Sequence, residues 1–316
     1  MSDRKQKLSV PQQISNLKAK GVEFNYINER KAIKFLEQNT YFFKLRSYRV
    51  NYDKDDEGRY IDLDFAYLVD LSVIDMHLRR FTLRLTLDIE HMLKTKLLSD
   101  FNASPSDGYD IMQSFFKTTD GIKVKEYIDG QIASVQKHGK HSPNSYILDR
   151  YSEDLAIWNF IEIIQFGHLI KFCNYFYSKY SNTLYAKIKH SLFNVNFLRN
   201  ASAHNNCILL LKDKSAKAQE DMYQFLLQNV NLDRYNIKGF LKNHTINDFI
   251  ASLVIFDNIC SSTKIKLYFF SDLKNFFTDR MLKHKEYYVK NKLLTDSYKF
   301  VFAIVNFFSE KYKTVY

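Results

Sequence analysis

Residues 64–101 read DFAYLVDLSVIDMHLRRFTLRLTLDIEHMLKTKLLSDF. Apolar side chains recur in this stretch at intervals of three and four, which is the spacing of one face of an α-helix: Leu71, Ile74, Leu78, Phe81, Leu85, Ile89, Met92 and Leu93. The other face carries basic side chains, namely Arg79, Arg80, Arg84, Lys94 and Lys96. The stretch therefore predicts a long amphipathic helix, either continuous or broken near Leu71.

Helical spacing of apolar residues extends to both sides of this stretch. It predicts helices over residues 10–20 (closed by Gly21), 28–38 (with Asn28 as N-cap), 153–180, 184–212, 218–230, 246–260, 264–283 and 296–312. Gly167 is a candidate break within 153–180, and residues 39–52 fit either a short helix or an extended element. Tight turns favour glycine and proline, and the chain has only 8 Gly and 3 Pro. We therefore predict an all-α fold.

Composition narrows the class of protein. With 46% hydrophobic and 26% charged residues in 316, the chain resembles a soluble globular protein. No run of 18 apolar residues occurs, and MSDRKQKLSV at the start has no apolar core, so we predict neither a membrane span nor a signal peptide. Cys173, Cys207 and Cys260 form no CxxC pair, which predicts reduced thiols, no zinc site and a cytoplasmic protein.

Positive charge is concentrated at the two ends of the chain. Residues 1–50 contain 11 Lys and Arg against 4 Asp and Glu, and residues 211–316 contain 17 against 11. Residues 51–210 contain 18 against 20, within a total net charge of +11. Basic ends of this kind are typical either of proteins that bind the phosphates of nucleic acid or of proteins with a solvated, Lys-rich surface. The candidate RNA contacts are Lys44, Arg46, Arg49, Lys283 and Lys285.

The sharpest motif is Arg199-Asn200-Ala201-Ser202-Ala203-His204, an R-x4-H pattern. On a helix Asn200 and His204 share a face, and Arg199 lies about 100° around the axis from Asn200. A guanidinium grips phosphate oxygens, and an imidazole exchanges a proton near neutral pH. The pair suits cleavage of RNA, in which the ribose 2′-hydroxyl is the nucleophile and neither a metal nor a cofactor is needed. Alternatively, His204 is an ordinary surface or core histidine without a role in catalysis.

Four stretches resemble one family in the same order. LRNASAH resembles the LRN-x-x-AH core of the Abi-like abortive-infection proteins (the AbiD/AbiF group) within the HEPN superfamily. The other three stretches are similar to further parts of the family's pattern. The N-terminal signature is matched by QISNLKAKGVEF with KAIKFLEQNTYFFKLRSYR, the IE-x-x-LRT helix by RLTLDIEHMLKTKL, and the W-x-x-IE-x-x-SFG-x-L helix by WNFIEIIQFGHLIKF. The resemblance covers about residues 11–211.

The resemblance implies an architecture and a function. It implies a HEPN-type helical bundle over residues 61–214, with a basic and aromatic N-terminal segment over 1–60 and a C-terminal helical extension over 215–316. Family members are antiphage or toxin proteins, many are metal-independent endoribonucleases, and homodimers join two R-x4-H motifs in one composite site. In some of them a structured RNA holds the protein inactive.

The resemblance also assigns residues. Arg199 and His204 match the catalytic pair, and Asn200 matches its polar follower. Glu90 and Glu162 match the family's helix glutamates, either as carboxylates near the site or as structural anchors. Leu93-Lys94-Thr95 departs from LRT, and Gln165-Phe166-Gly167 departs from SFG. Phe43-Lys44 departs from the Tyr-Arg pair of YYRL, so contact of Lys44 or Lys94 with RNA in the family manner is in doubt.

Two other functions remain open at this point. One is a non-catalytic RNA-binding module with the same fold, which the presence of both Arg199 and His204 disfavours. The other is a toxin controlled by a nucleotidyltransferase through an R-x4-H-x-Y motif. Asn206 stands where that motif has its tyrosine, so the hydroxyl that would be modified is missing.

Overall fold

Helices account for the regular secondary structure in the part of the chain that the structure describes. The computed structural model describes residues 6–313 and contains no β-strand within them. Extended pairing there consists of two isolated bridges, between Glu23 and Asp64 and between Lys54 and Tyr60. The all-α prediction is confirmed.

The chain forms two units, each built from separate stretches of sequence. The motif unit, so called because it contains Arg199 and His204, comprises Met1–Arg84, Leu198–Ile250 and Ser262–Tyr316. The second unit comprises Leu85–Phe197 and Ala251–Ser261. Three helices continue from one unit into the other: α4 (Phe65–Asn102), α11 (Leu192–Ala203) and α14 (His244–Ile259). The predicted domains, with boundaries at residues 60 and 214, are contiguous segments, whereas neither of these two units is contiguous. The predicted domain boundaries therefore stay a prediction.

The motif unit has an aromatic core. Besides its parts of α4, α11 and α14 it contains α1 (Val10–Ala19), α2 (Glu29–Gln38), α3 (Phe42–Ser47), α12 (Glu220–Asn229), α13 (Ile237–Leu241), α15 (Thr263–Asn275) and α16 (Lys292–Lys313). Phe270 of α15 stacks on Phe308 of α16 with ring centroids 4.8 Å apart, and Phe240 of α13 stacks on Phe300 at 4.4 Å. Buried aromatic rings of this size contribute much of a core's hydrophobic stabilisation.

Local sequence signals fix the start of the chain. Ser9 and Gln12 form a capping box at α1, and the Asn28 side chain accepts from the backbone N–H of Lys31 at the start of α2. Gly21 has φ +80°, and a Cβ there would lie 2.9 Å from the Tyr60 carbonyl oxygen. The predicted helices over 10–20 and 28–38 and the role of Gly21 are therefore confirmed.

The second unit has a separate core. Besides its parts of the shared helices it contains α5 (Gly108–Phe116), α6 (Thr119–His138), α7 (Pro143–Tyr151), α8 (Ile157–Ile163), α9 (Phe166–Lys179) and α10 (Thr183–Ile188). Phe172 of α9 packs against Phe115 of α5 at 5.1 Å and against Phe160 of α8 at 5.2 Å. The Asp100 carboxylate accepts from Tyr177 Oη and Asn182 Nδ2, which joins α4 to α9 and α10.

Some helix boundaries differ from the sequence prediction. Helix α4 runs unbroken through Leu71. Of the segment 39–52, residues 42–51 are helical, as α3 followed by a 3-10 turn over Tyr48–Asn51. Helices α8 and α9 separate at Ile164 and Gln165, so Gly167 lies in the first turn of α9 instead of at the break. The prediction of one helix over 184–212 is wrong, because α11 ends at Ala203 and residues 206–211 are not helical.

Candidate active site

The R-x4-H motif lies at the C-terminal end of α11. The His204 N–H still donates to the Asn200 carbonyl at 3.0 Å, so the two residues keep the i, i+4 relation that the sequence predicts. Arg199 Nη1 donates to Asn200 Oδ1 at 3.2 Å. Arg199 and Asn200 are partly buried, and His204 is exposed. The motif thus exposes the His204 imidazole to solvent. The Asn200 amide, which orients the Arg199 guanidinium, lies one helical turn earlier.

The helix ends immediately after His204 through a left-handed residue. Asn205 has φ +55°, and the N–H of Asn206 donates to the Ala201 carbonyl at 2.9 Å. This is the hydrogen-bond pattern of a Schellman cap. The chain therefore turns off the helix axis directly behind the motif.

Lys44 reaches this cap from α3. Its ammonium donates to the Asn205 carbonyl oxygen at 2.8 Å, and Cys207 Sγ lies 3.6 Å from the Lys44 carbonyl oxygen. Burial, together with the nearby charge of Arg79, lowers the pKa of Lys44 from its ordinary value. A cation at the C-terminal end of a helix also interacts favourably with the helix dipole. In this structure the Lys44 ammonium binds the backbone beside the motif, and contact with RNA stays a prediction.

A buried carboxylate holds the segment that follows the motif. Asp75 Oδ1 accepts from the backbone N–H of Ile208 at 3.0 Å and from that of Leu209 at 2.9 Å. Its Oδ2 accepts from Tyr48 Oη at 2.7 Å and from Arg79 Nη1. The Asp75 side chain is fully buried and that of Arg79 is 6% exposed. Burial raises the pKa of Tyr48 above its ordinary value, which keeps its hydroxyl a donor.

Asn51 also holds the segment that follows the motif. Its Oδ1 accepts from the Leu211 N–H, and its Nδ2 donates to the Leu209 carbonyl, both at 2.8 Å. Backbone groups of 208–211 thus bond to side chains of other elements instead of to a continued helix. Asp75, Tyr48 and Asn51 were not predicted as site residues, and Arg79, predicted to lie on a polar face, is buried. The available signal was the i, i+4 spacing of Asp75 and Arg79 beside the apolar stripe of α4.

The two predicted glutamates belong to the second unit. Glu90 is mostly buried, and its Oε1 lies 3.4 Å from Lys94 Nζ on the same helix. Glu162, on α8, is exposed. A role for either carboxylate at the motif stays a prediction.

The remaining predicted basic residues lie in the motif unit. Arg46 and Arg49 line a common cavity near the N-terminal helices. Lys283 and Lys285 are exposed beside the 3-10 turn over Lys285–Tyr288.

Neither a metal centre nor a membrane helix is found in the part of the chain that the structure describes. Within residues 6–313, no group of three or more His, Cys, Asp or Glu side chains is arranged to hold a metal ion. The same residues include no helix with the length and apolar character needed to cross a membrane. Cys173, Cys207 and Cys260 take part in no disulfide.

Comparison with known proteins identifies a family. A profile of the family described as "Abi-like protein" matches residues 34–209, more than half of the chain. The matched region includes α3, α4 and the R-x4-H motif. It begins after residues 13–24, the first of the stretches that resemble the family's pattern. No curated protein and no solved structure matches the chain.

Proposed function

Because the chain belongs to the Abi-like protein family, we propose that it is a metal-independent endoribonuclease toxin of an abortive-infection defence system. It acts in the cytoplasm and cleaves RNA with Arg199 and His204. The observation that supports this proposal is the exposed His204, one helical turn after the Asn200 to which Arg199 is hydrogen-bonded, at a helix end that Lys44 and Asp75 hold in place.

The proposed reaction is an internal transfer at phosphorus. The ribose 2′-hydroxyl attacks the adjacent phosphate, and His204 takes its proton as a general base. The bond from phosphorus to the 5′ oxygen breaks, and that oxygen takes up a proton, which leaves a 2′,3′-cyclic phosphate and a 5′-hydroxyl. Arg199 holds the phosphate oxygens through its planar fork, and Asn200 orients the guanidinium through its bond to Nη1.

We further propose that two copies of the chain complete the site. The family resemblance implies a composite site, and the motif helix has features that suit a contact between copies. Phe193 and Phe197 on α11 are exposed, Phe197 at 60%, with ring centroids 6.5 Å apart. Ala201 and Ala203 leave room for a second backbone. An isologous pairing along α11 brings both motifs to one cleft.

Substitution of the catalytic pair tests the proposed activity. We expect His204→Ala and Arg199→Ala each to lower the rate of RNA cleavage by about 10²–10⁴-fold, because each removes a group that acts in the transition state. EDTA should leave the wild-type rate unchanged, and the products should end in 2′,3′-cyclic phosphate. His138→Ala, at the exposed last residue of α6, is the matched control.

Two results would reject the assignment. Full activity of His204→Ala, with circular dichroism equal to wild type, would remove His204 from the reaction. Wild-type protein that binds RNA without cutting it would favour the non-catalytic RNA-binding module instead.

A further inference from the structure

A cationic cavity lies in the motif unit apart from the catalytic pair. Two adjoining spaces of about 670 and 540 Å³ share four lining residues, Arg46, Arg49, Lys54 and Tyr60. Lys212 also lines the first space and Lys20 the second, and neither space is lined by Arg199 or His204. We call these two spaces together the Arg49 cavity.

The Arg49 cavity has a large excess of positive charge. Its lining includes five cationic side chains and one carboxylate, that of Asp53. Asp53 already pairs with Lys212 Nζ at 2.8 Å. Like charges gathered around one space raise the energy of the protein alone, and an anion in that space lowers it.

Arg49 has hydrogen-bonding capacity that the protein leaves unused. Its Nε donates to the Arg46 carbonyl at 3.1 Å, but its Nη1 is buried and has no hydrogen-bond partner among residues 6–313. Burial lowers the pKa of this guanidinium from its ordinary value, and the charge of Arg46 adds to the effect. A buried charged donor without an acceptor is costly, so an anion oxygen at Nη1 is favoured.

Aromatic rings hold the cations of the cavity in position. The guanidinium of Arg49 lies over the Tyr60 ring at 5.2 Å, and Lys54 Nζ lies over the same ring at 5.0 Å. Arg46 lies 5.5 Å from the centre of the Phe43 ring, which is itself 68% exposed. Cationic forks beside an open aromatic face match the phosphates and bases of a single nucleic-acid strand.

We propose that the Arg49 cavity binds phosphate groups of an RNA strand at a site distinct from the catalytic pair. The identity of the ligand as RNA rests on the proposed function. Lys212 follows His204 by eight residues, so their Cα atoms are at most about 28 Å apart. At that distance an RNA strand of several nucleotides can reach both sites at once, so the cavity favours such strands over shorter ones.

Binding to a cleavage-deficient protein tests the cavity directly. In the His204→Ala background, we would measure the anisotropy of a fluorescent 20-nucleotide single-stranded RNA between 50 and 200 mM salt. We expect Arg46→Gln with Arg49→Gln to weaken binding at least about tenfold, the equivalent of one charge-assisted hydrogen bond. The slope of log affinity against log salt should fall by roughly 0.7 for each phosphate that the protein no longer neutralises.

The matched control removes the same charge elsewhere. Arg30→Gln with Lys31→Gln affects two exposed residues of α2 and should change the affinity and the slope less. If both pairs of substitutions weaken binding equally, the effect is general electrostatics and the proposal is wrong. The measurement does not need catalysis, so the cavity can be confirmed even if RNA cleavage is not found.

Two further measurements distinguish whether the bound RNA strand is a substrate or an inhibitory RNA. If it is substrate, Arg46→Gln with Arg49→Gln raises KM for a 20-nucleotide RNA and leaves that for a 4-nucleotide RNA unchanged. If it is an inhibitory RNA, wild-type protein purifies with RNA of discrete length, and the same substitutions release that RNA and increase toxicity. Unchanged binding together with neither effect would overturn the proposal.

Discussion

At the scale of single residues, the end of the motif helix depends on a backbone conformation that few side chains adopt. Asn205 lies in the left-handed region with φ +55°, where asparagine occurs more often than other residues with a side chain. This conformation turns the chain off α11 behind His204 and exposes the Asn205 carbonyl to Lys44. One residue thereby determines where the helix ends and what supports its end.

We expect Asn205→Ala to lower the free energy of unfolding by about 1–2 kcal/mol, because alanine meets a steric penalty in the left-handed region. Asn205→Gly should retain the wild-type value, since glycine has no Cβ to clash. The Asn205 side chain is exposed, so a change in its packing should contribute little to either result. Urea denaturation measures both variants, and equal decreases in stability would contradict the conformational explanation.

At the scale of elements, α3 and α4 position the motif without belonging to it. The 3-10 turn after α3 supplies Tyr48 and Asn51, and α4 supplies Asp75 and Arg79. Together they bind the backbone of residues 206–211. Rigid support of this kind keeps a catalytic residue in one geometry between turnovers.

Removal of the Asp75 carboxylate should therefore be costly. Asp75→Ala leaves the buried Arg79 charge and two backbone N–H groups without this acceptor, and we expect a loss of about 3–5 kcal/mol in unfolding free energy. Asp129→Ala, which breaks an exposed pair with Lys125, should cost about 1 kcal/mol or less. Thermal and urea unfolding give the comparison. A loss at Asp75 no larger than that at Asp129 would show that the network does not anchor the segment.

At the scale of the whole molecule, the proposed dimer follows from the exposed apolar side chains of α11. Phe193 and Phe197 stand four residues apart, so they lie on one face of this helix. Large exposed aromatic side chains near the centre of a contact often supply much of its binding energy. The motif follows on the same helix, so loss of the dimer should also mean loss of activity.

Phe197→Glu tests this link. We expect the variant to run as a monomer by light scattering and to lose RNA cleavage, while its circular dichroism stays that of wild type, because the altered side chain is exposed in one chain. Tyr146→Glu, at a similarly exposed aromatic of α7, should leave mass and activity unchanged. A monomeric Phe197→Glu protein with full activity would contradict the composite site.

The sequence by itself determined the features that depend on neighbours along the chain. The apolar stripe of α4, the cap at Asn28 and the turn at Gly21 all act within a few residues, so their spacing predicts them. The R-x4-H pattern is local in the same sense. Residues 34–209 also carry enough of the family's pattern to identify the family from sequence.

Only the tertiary structure decided how the motif is held. Apolar residues continue past Ala203, which predicted a helix to 212, but the N–H groups of Ile208 and Leu209 bond to Asp75 across 133 and 134 positions of sequence. Lys44 reaches Asn205 across 161 positions. Helical periodicity reports which face of a segment is buried. It does not report which distant carboxylate or ammonium satisfies a backbone group, because that choice is made when separate elements pack together.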